Sequence, residues 1–280
     1  MTDLYLCSFA SPDLSNSVER FINQSKEIKL YKDTKVFGWA DLTESKKNQI
    51  NSFFKKNNKR LYGYACWKPE VILSNLNSIP KGSILQYSDI GCHLNKNGYE
   101  RLRYYLNLMN NKNILAFQYC EPKFQVDKKL KYQIYFEKEY TKNDLFNFLE
   151  VKKDSDIRNS EQIWSGSMFF KHNEETKNFL NKWLEVCNIN SLIDDTPSND
   201  KNCEEFIEHR HDQSAFSILC KLNNINCLSA SECEWAEDEN GRYWGHLNNY
   251  PILAKRDKKL NLVKRFLLRQ YKNIRRILNK

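Results

Sequence analysis

Short apolar runs spaced along the chain, each followed by a stretch with helical spacing, constrain the fold most. Residues 4–9, 35–39, 84–87, 114–117 and 226–228 read as strands, and 162–170 as a loop feeding a buried strand. After the first run, Ser11 and Pro12 read as a helix N-cap and first helical residue, and Leu14, Val18, Phe21 and Ile22 mark one helical face. Ile50, Phe53 and Phe54 do the same after the second run, and Val71, Ile72, Leu73 and Leu76 before the third. Phe179, Leu180, Trp183 and Leu184, then Phe216, Ile218 and Leu219, mark two later helices. Strands alternating with helices argue for a layered α/β domain. No GxGxxG or GxxxxGK[ST] follows a strand, so neither the Rossmann fingerprint nor a P-loop is present.

Within this pattern the stretch 83–95, SILQYSDIGCHLN, stands out. A buried run ends abruptly in Asp89-Ile90-Gly91. In open α/β sheets ligands bind just beyond the carboxyl ends of strands. An acid there suits a ribose hydroxyl or a divalent cation, and Gly91 lets the backbone come close to a bulky ligand. A plain Asx turn would use the same residues. Two other segments also mix charge, aromatics and glycine: the loop 60–69, RLYGYACWKP, and 209–214, HRHDQS. Lys68 opens a helix, where a cation beside free backbone N–H groups suits a phosphate. The acidic stretch 191–202, with Pro197, reads as a mobile loop.

Composition narrows the class. Eight Gly and six Pro argue against a low-complexity chain, and no apolar run is long enough to span a bilayer. The nine cysteines are odd in number and form no CxxC pair, and no signal-peptide pattern opens the chain. Reduced thiols and a cytoplasmic location are therefore expected. The net charge of +9 is unevenly placed. Residues 255–280 hold 11 Lys/Arg and one Asp, whereas the other 254 residues hold 33 Lys/Arg against 34 Asp/Glu. A near-neutral body argues against nucleic-acid binding and localises the charge in one tail.

Four segments, LYGYACWKP, YSDIGC, QIWSGS and HRHDQS, together resemble bacterial glycosyltransferases of the GT-A type that build capsule and lipopolysaccharide sugars. The match spans most of residues 1–250. The resemblance implies a single GT-A-like, Rossmann-type domain with a mixed central sheet over residues 1–254, binding a nucleotide sugar against the first half of the sheet. It implies transfer of a hexosyl or heptosyl group to a growing capsular polysaccharide or lipooligosaccharide. Asp89 takes the place of the usual DxD signature. Here Gly91 replaces the second acid, which puts metal dependence in question. A Mn²⁺ or Mg²⁺ ion held by Asp89, with His246 completing the site, is the corresponding expectation.

On the same grounds Ser8, Phe9, Lys68, Asp89, Gly91 and Arg210 are expected on the donor side. Lys68 and Arg210 would steady the leaving diphosphate. Asp212 is the candidate general base, though it suits a helix N-cap equally. Tyr64, Trp67, Trp164, Ser165, Gly166 and Gln213 are expected to line the sugar or acceptor pocket, with Trp164 stacking on a sugar face. Two other readings use the same residues. A non-catalytic carbohydrate-binding protein needs the aromatics but not Asp89, Lys68, Arg210 and Asp212 together. A transferase moving another group from a nucleotide donor onto capsule sugars suits the same fold.

In the tail, Leu260, Val263, Leu267, Tyr271, Ile274 and Leu278 form a helical apolar stripe flanked by cations. A basic amphipathic helix over residues 255–280 is expected. It suits an anionic membrane surface at the inner face of the cytoplasmic membrane, or packing on the domain.

Overall fold

The computed structural model describes residues 2–56, 58–122 and 129–255. The strands, in chain order, are β1 (Leu4–Phe9), β2 (Tyr31–Phe37), β3 (Ile84–Ser88), β4 (His93–Leu94) and β5 (Ile114–Gln118). They continue with β6 (Ile163–Lys171), β7 (Leu228–Ser229), β8 (Ala236–Asp238), β9 (Gly241–Tyr243) and β10 (Ile252–Leu253). Six of them form one sheet in the order β2-β1-β3-β6-β5-β7, while β4 pairs with β10 and β8 with β9. β1 is parallel to β2 and β3, β5 is parallel to β7, and β6 runs antiparallel to both its neighbours. The expected mixed central sheet is therefore present.

Alternation along each strand sends side chains to two separate cores. On one face Cys7, Phe9, Leu85, Tyr87, Ala116 and Phe170 pack under the helices Glu44–Lys55, Lys68–Ser78, Glu174–Asn188 and Asp212–Leu222. On the other, Leu6, Ile84, Leu115, Phe117 and Phe169 meet Ser17–Ile28 and Tyr99–Leu108. With both faces covered, β3 and β5 need long apolar runs rather than in–out alternation.

The chain leaves β1 for β2 on one side, then crosses back to place β3 on the other. The strand order reverses there, so the crevice above the carboxyl ends of β1 and β3 is a topological switch point. β2, β5 and β7 end at the same edge, and antiparallel β6 begins there.

Several details differ from the sequence reading. β2 starts four residues earlier than expected and stops at Phe37; Trp39 lies in a short 3-10 turn. Pro12 opens a 3-10 turn, and the α-helix begins at Ser17. Ser165 and Gly166 lie inside β6, not in a loop before it. The stretch 191–202 is anchored, since Lys142 Nζ donates to the carbonyls of Asp194 at 3.2 Å and Thr196 at 3.3 Å. The expected tail helix lies outside the described residues.

The loop before Lys68 has the least expected backbone. Leu61, Tyr62, Gly63, Tyr64 and Ala65 all have positive φ, between 46° and 85°. Tyr64 N donates to Arg60 O, and Ala65 N to Leu61 O, so the segment is one turn of left-handed helix. Such a turn brings Cβ close to the following carbonyl and costs roughly 1–2 kcal/mol per non-glycine residue. Burial of Tyr64 against Phe53, and of Trp67 stacked on Phe9 with ring centroids 3.9 Å apart, opposes that cost.

Candidate active site

Four segments far apart in sequence meet at the carboxyl edge of the sheet around the Lys68 ammonium. Lys68 opens its helix directly after the left-handed turn and is 3% exposed. Its Nζ lies 2.8 Å from Asp212 Oδ2 and 3.3 Å from Asp89 Oδ1, and donates to Ser165 O at 3.0 Å. Ser165 Oγ donates to Asp212 Oδ2 at 2.9 Å. Burial pulls the Lys68 pKa down, but Asp212 and Asp89 outweigh it and the net direction is up, so the ammonium keeps its charge. Burial pushes the Asp212 carboxyl up, with Lys68 opposing it.

The two carboxylates differ in access. Asp212 has a side chain 4% exposed, whereas that of Asp89 is 45% exposed. Asp89 follows the last residue of β3, and its backbone N–H donates to Gly166 O at 2.8 Å, which extends the ladder by one bond. Tyr87, two residues back on the same face, donates its hydroxyl to Asp89 Oδ1 at 2.8 Å. Arg20, from the first helix, donates to Ile90 O at 2.6 Å and Cys92 O at 2.9 Å, fixing the turn that carries Asp89. Asp89 thus presents a held carboxylate to solvent at the switch point.

Several expectations change with these contacts. Lys68, expected to face a phosphate, is enclosed by protein oxygens, those of Asp89, Ser165 and Asp212. Asp212, expected as a base, is enclosed as well; its geometry fits holding Lys68 against Asp89. Asp212 is the first residue of its helix, but no side-chain cap bond is made there; its backbone carbonyl accepts from Trp183 Nε1 at 3.1 Å. Tyr64 and Trp67 are 3% and 7% exposed and belong to the core, not to an open sugar pocket. Phe9 is buried under Trp67, and Ser8 is fully buried with its hydroxyl unbonded. Trp164 is buried too and lies over Gly166; a Cβ there would come within 2.2 Å of the indole. Gly166 is required for that packing. Gly91 is partly exposed, two residues after Asp89. Gln213 reaches Gln162 Oε1 at 2.9 Å, one strand away from the Asp89 turn.

Arg210 sits among three tyrosines. Its guanidinium carbon sits 3.8 Å from the Tyr135 ring centroid, 4.0 Å from that of Tyr140 and 5.8 Å from that of Tyr119, at the ends of β5 and β6. Tyr87, Arg20, Tyr135 and Tyr140 were not singled out from sequence. Only Tyr87 carried a signal, lying two residues before Asp89 on a strand and hence on the same face.

Asp89 and His246, the two residues expected to hold a cation, each have a donor atom not tied up in a ring or backbone bond. Asp89 offers an open carboxylate oxygen. His246 Nε2 lies 3.1 Å from the carbonyls of both Ser231 and Glu234, while its Nδ1 is buried without a hydrogen-bond partner. Donation from one ring nitrogen to a carbonyl, leaving the other as a lone pair, is how ligating histidines are oriented. Burial also lowers the His246 pKa and keeps the ring neutral. Among the described residues no group of three His, Cys, Asp or Glu side chains converges as a metal cluster. All nine cysteines are free thiols. No helix among the described residues is long and apolar enough to cross a membrane.

No protein-family model matches the chain, and no curated protein matches its sequence. Solved structures of similar outline include a glycosyltransferase involved in the glycosylation of the major capsid of PBCV-1. It has a TM-score of 0.46 and 10% identity, over 97% of this chain and 99% of that one. Mouse xyloside xylosyltransferase 1 in its apo form gives 0.42 and 11%, over 83% and 87%. The apo bifunctional glycosyltransferase WbbM gives 0.43 and 11%, over 83% of this chain and 40% of that one.

Proposed function

We propose that the chain is a glycosyltransferase that moves a sugar from a nucleotide-diphosphate donor to a capsular polysaccharide or lipooligosaccharide acceptor. One observation carries the reading: Lys68, Asp89, Ser165 and Asp212, each from a different motif, join in one hydrogen-bonded cluster at the switch point. A binding module that uses only aromatic faces has no need of this cluster, and most of the candidate aromatics are buried.

The reaction is displacement at an anomeric carbon. The acceptor hydroxyl oxygen bonds to that carbon, the bond to the diphosphate oxygen breaks, the nucleoside diphosphate leaves with the electron pair, and the hydroxyl proton passes to a phosphate oxygen of that leaving group. Asp89 is the open carboxylate that meets the donor's ribose, its diphosphate or a cation. Lys68 and Tyr87 fix its inner oxygen, and Arg20 fixes its turn. Asp212 and Ser165 hold Lys68 in place from behind. A Mg²⁺ or Mn²⁺ ion would be held by Asp89 and His246 together with the donor's own phosphate oxygens, and would offset charge on the leaving group. The basic tail suits tethering to an anionic membrane, where a lipid-linked acceptor would lie.

The test is thermal unfolding with UDP, GDP and CDP, followed by product mass with the sugar donors of whichever nucleotide binds. A ligand at a hundredfold excess over its Kd stabilises the native state by about 2.7 kcal/mol. One diphosphate should raise Tm by several degrees, and Asp89→Asn should abolish transfer while leaving the fold intact. Absence of any shift, together with no glycosylated product, refutes the reading.

A further inference from the structure

We propose that Arg210 binds an oxyanion carried by the acceptor, a carboxylate or a phosphate. The proposal rests on the glycosyl-transfer reading and names a property of its acceptor.

The guanidinium is held as a plane. Tyr135 and Tyr140 lie 3.8 and 4.0 Å from its carbon, with Tyr119 at 5.8 Å. Its backbone is pinned as well, since Arg210 N donates to Tyr140 O at 3.0 Å. The residue is partly buried, yet its side chain donates no hydrogen bond and forms no ion pair among the described residues. Glu234, the carboxylate beyond Tyr119, takes that tyrosine's hydroxyl at 3.3 Å. Aromatic contacts satisfy the faces of a guanidinium but none of its five N–H donors, which point outward from its edge. A fixed fork with its edge open matches the two oxygens of a carboxylate or phosphate.

Its place in the sheet says which substrate brings that anion. The donor crevice lies over β1 and β3, with Asp89 at its near wall. Arg210 lies over the ends of β6 and β5, the latter two strand spacings or roughly 10 Å from β3. With the nucleotide on the β1 side, the acceptor approaches from the β5 side, past Arg210.

The test uses the full chain and three probes: glucose, glucuronate and glucose 6-phosphate, titrated by ligand-observed saturation-transfer NMR. Wild type should bind at least one anionic sugar about tenfold or more tightly than glucose, the span of a charge-assisted hydrogen bond. A preference for glucuronate identifies a carboxylate, and one for glucose 6-phosphate a phosphate. Arg210→Gln should erase the preference, while the affinity for UDP, GDP or CDP stays within about twofold. Arg210→Lys keeps the charge but loses the fork, and should retain only part of it; it serves as the variant if Arg210→Gln fails to fold. Equal binding of all three sugars by wild type overturns the proposal, as does a preference that survives both variants. Loss of nucleotide affinity in the variants also overturns it, because Arg210 then serves the donor. Should no nucleotide bind while the Arg210-dependent preference persists, the anion site stands and the glycosyl-transfer reading falls.

Discussion

Replacing Lys68 by methionine tests the centre of the site. Met fills similar space but removes the ammonium that lies 2.8 Å from Asp212 and 3.3 Å from Asp89. Asp89 can turn to solvent, so little is lost there. Asp212 cannot, because its side chain is 4% exposed. Removing one partner of a buried pair costs about 3–5 kcal/mol, since the remaining charge is left uncompensated. Lys68→Met should therefore destabilise by about 3–5 kcal/mol. The double variant Lys68→Met with Asp212→Asn leaves no buried charge, and should recover about 2 kcal/mol relative to the sum of the single changes. The pH dependence has a definite sign. Burial raises the Asp212 pKa, so its protonated form is favoured in the folded chain. Without Lys68 the native state keeps its stability at acid pH and loses it as pH rises through the folded pKa of Asp212. Urea unfolding followed by tryptophan fluorescence at pH 4.5 and 7.5 measures both effects. Additivity of the two substitutions within about 0.5 kcal/mol, or a penalty unchanged between the two pH values, would refute the reasoning.

Further changes probe neighbouring parts of the fold. Leu61 is 51% exposed with φ 46°, so Leu61→Gly should be neutral or stabilising by about 1 kcal/mol, opposite to its effect in a right-handed helix; chemical denaturation gives the sign. Gly166→Ala drives a methyl against the Trp164 indole and should cost about 1–3 kcal/mol, with a shifted fluorescence maximum as the second readout. Arg20→Met removes the clamp on the Asp89 turn and should weaken nucleoside diphosphate binding about tenfold, seen by calorimetry. A chain ending near Ala254 should no longer co-sediment with anionic vesicles, whereas the full chain should; equal partitioning of both excludes the tether.

Periodicity made β1, β3 and β5 legible, because strands covered on both faces read as unbroken apolar runs. It could not give the direction of β6, since an antiparallel and a parallel buried strand share one composition. The 61–65 turn was read only as a glycine-rich loop: a left-handed helix depends on tertiary burial that overrides local preference. Asp89 was found because a strand end followed by glycine is a local signal. Lys68 was found, but its contacts with Asp89 and Asp212 were not, because those residues lie 21 and 144 positions away. The clamp on Arg210 comes from Tyr135 and Tyr140, in a stretch with no clear period.

The reversed direction of β6 has a dynamic consequence. The other five strands of the sheet end at this carboxyl edge and hand their residues to loops, but β6 starts there and runs back into the sheet. Phe169 pairs with Gln86 and Leu115, and Phe170 with Leu85 and Ile114, so this part of β6 sits between two bonded neighbours; Ser167 and Gly166 are held on the β3 side, by Ser88 and Asp89, while the β5 register shifts beside them. Local opening needs few broken contacts at a loop and many at a central strand. Amide hydrogens at Phe169 and Phe170 should exchange with deuterium only when the whole domain opens. Those on the 89–92 turn and the 10–15 loop should exchange through small excursions. The site thus pairs a stiff wall with a pliant rim, and a bound donor should slow exchange at the rim well beyond any slowing at the wall.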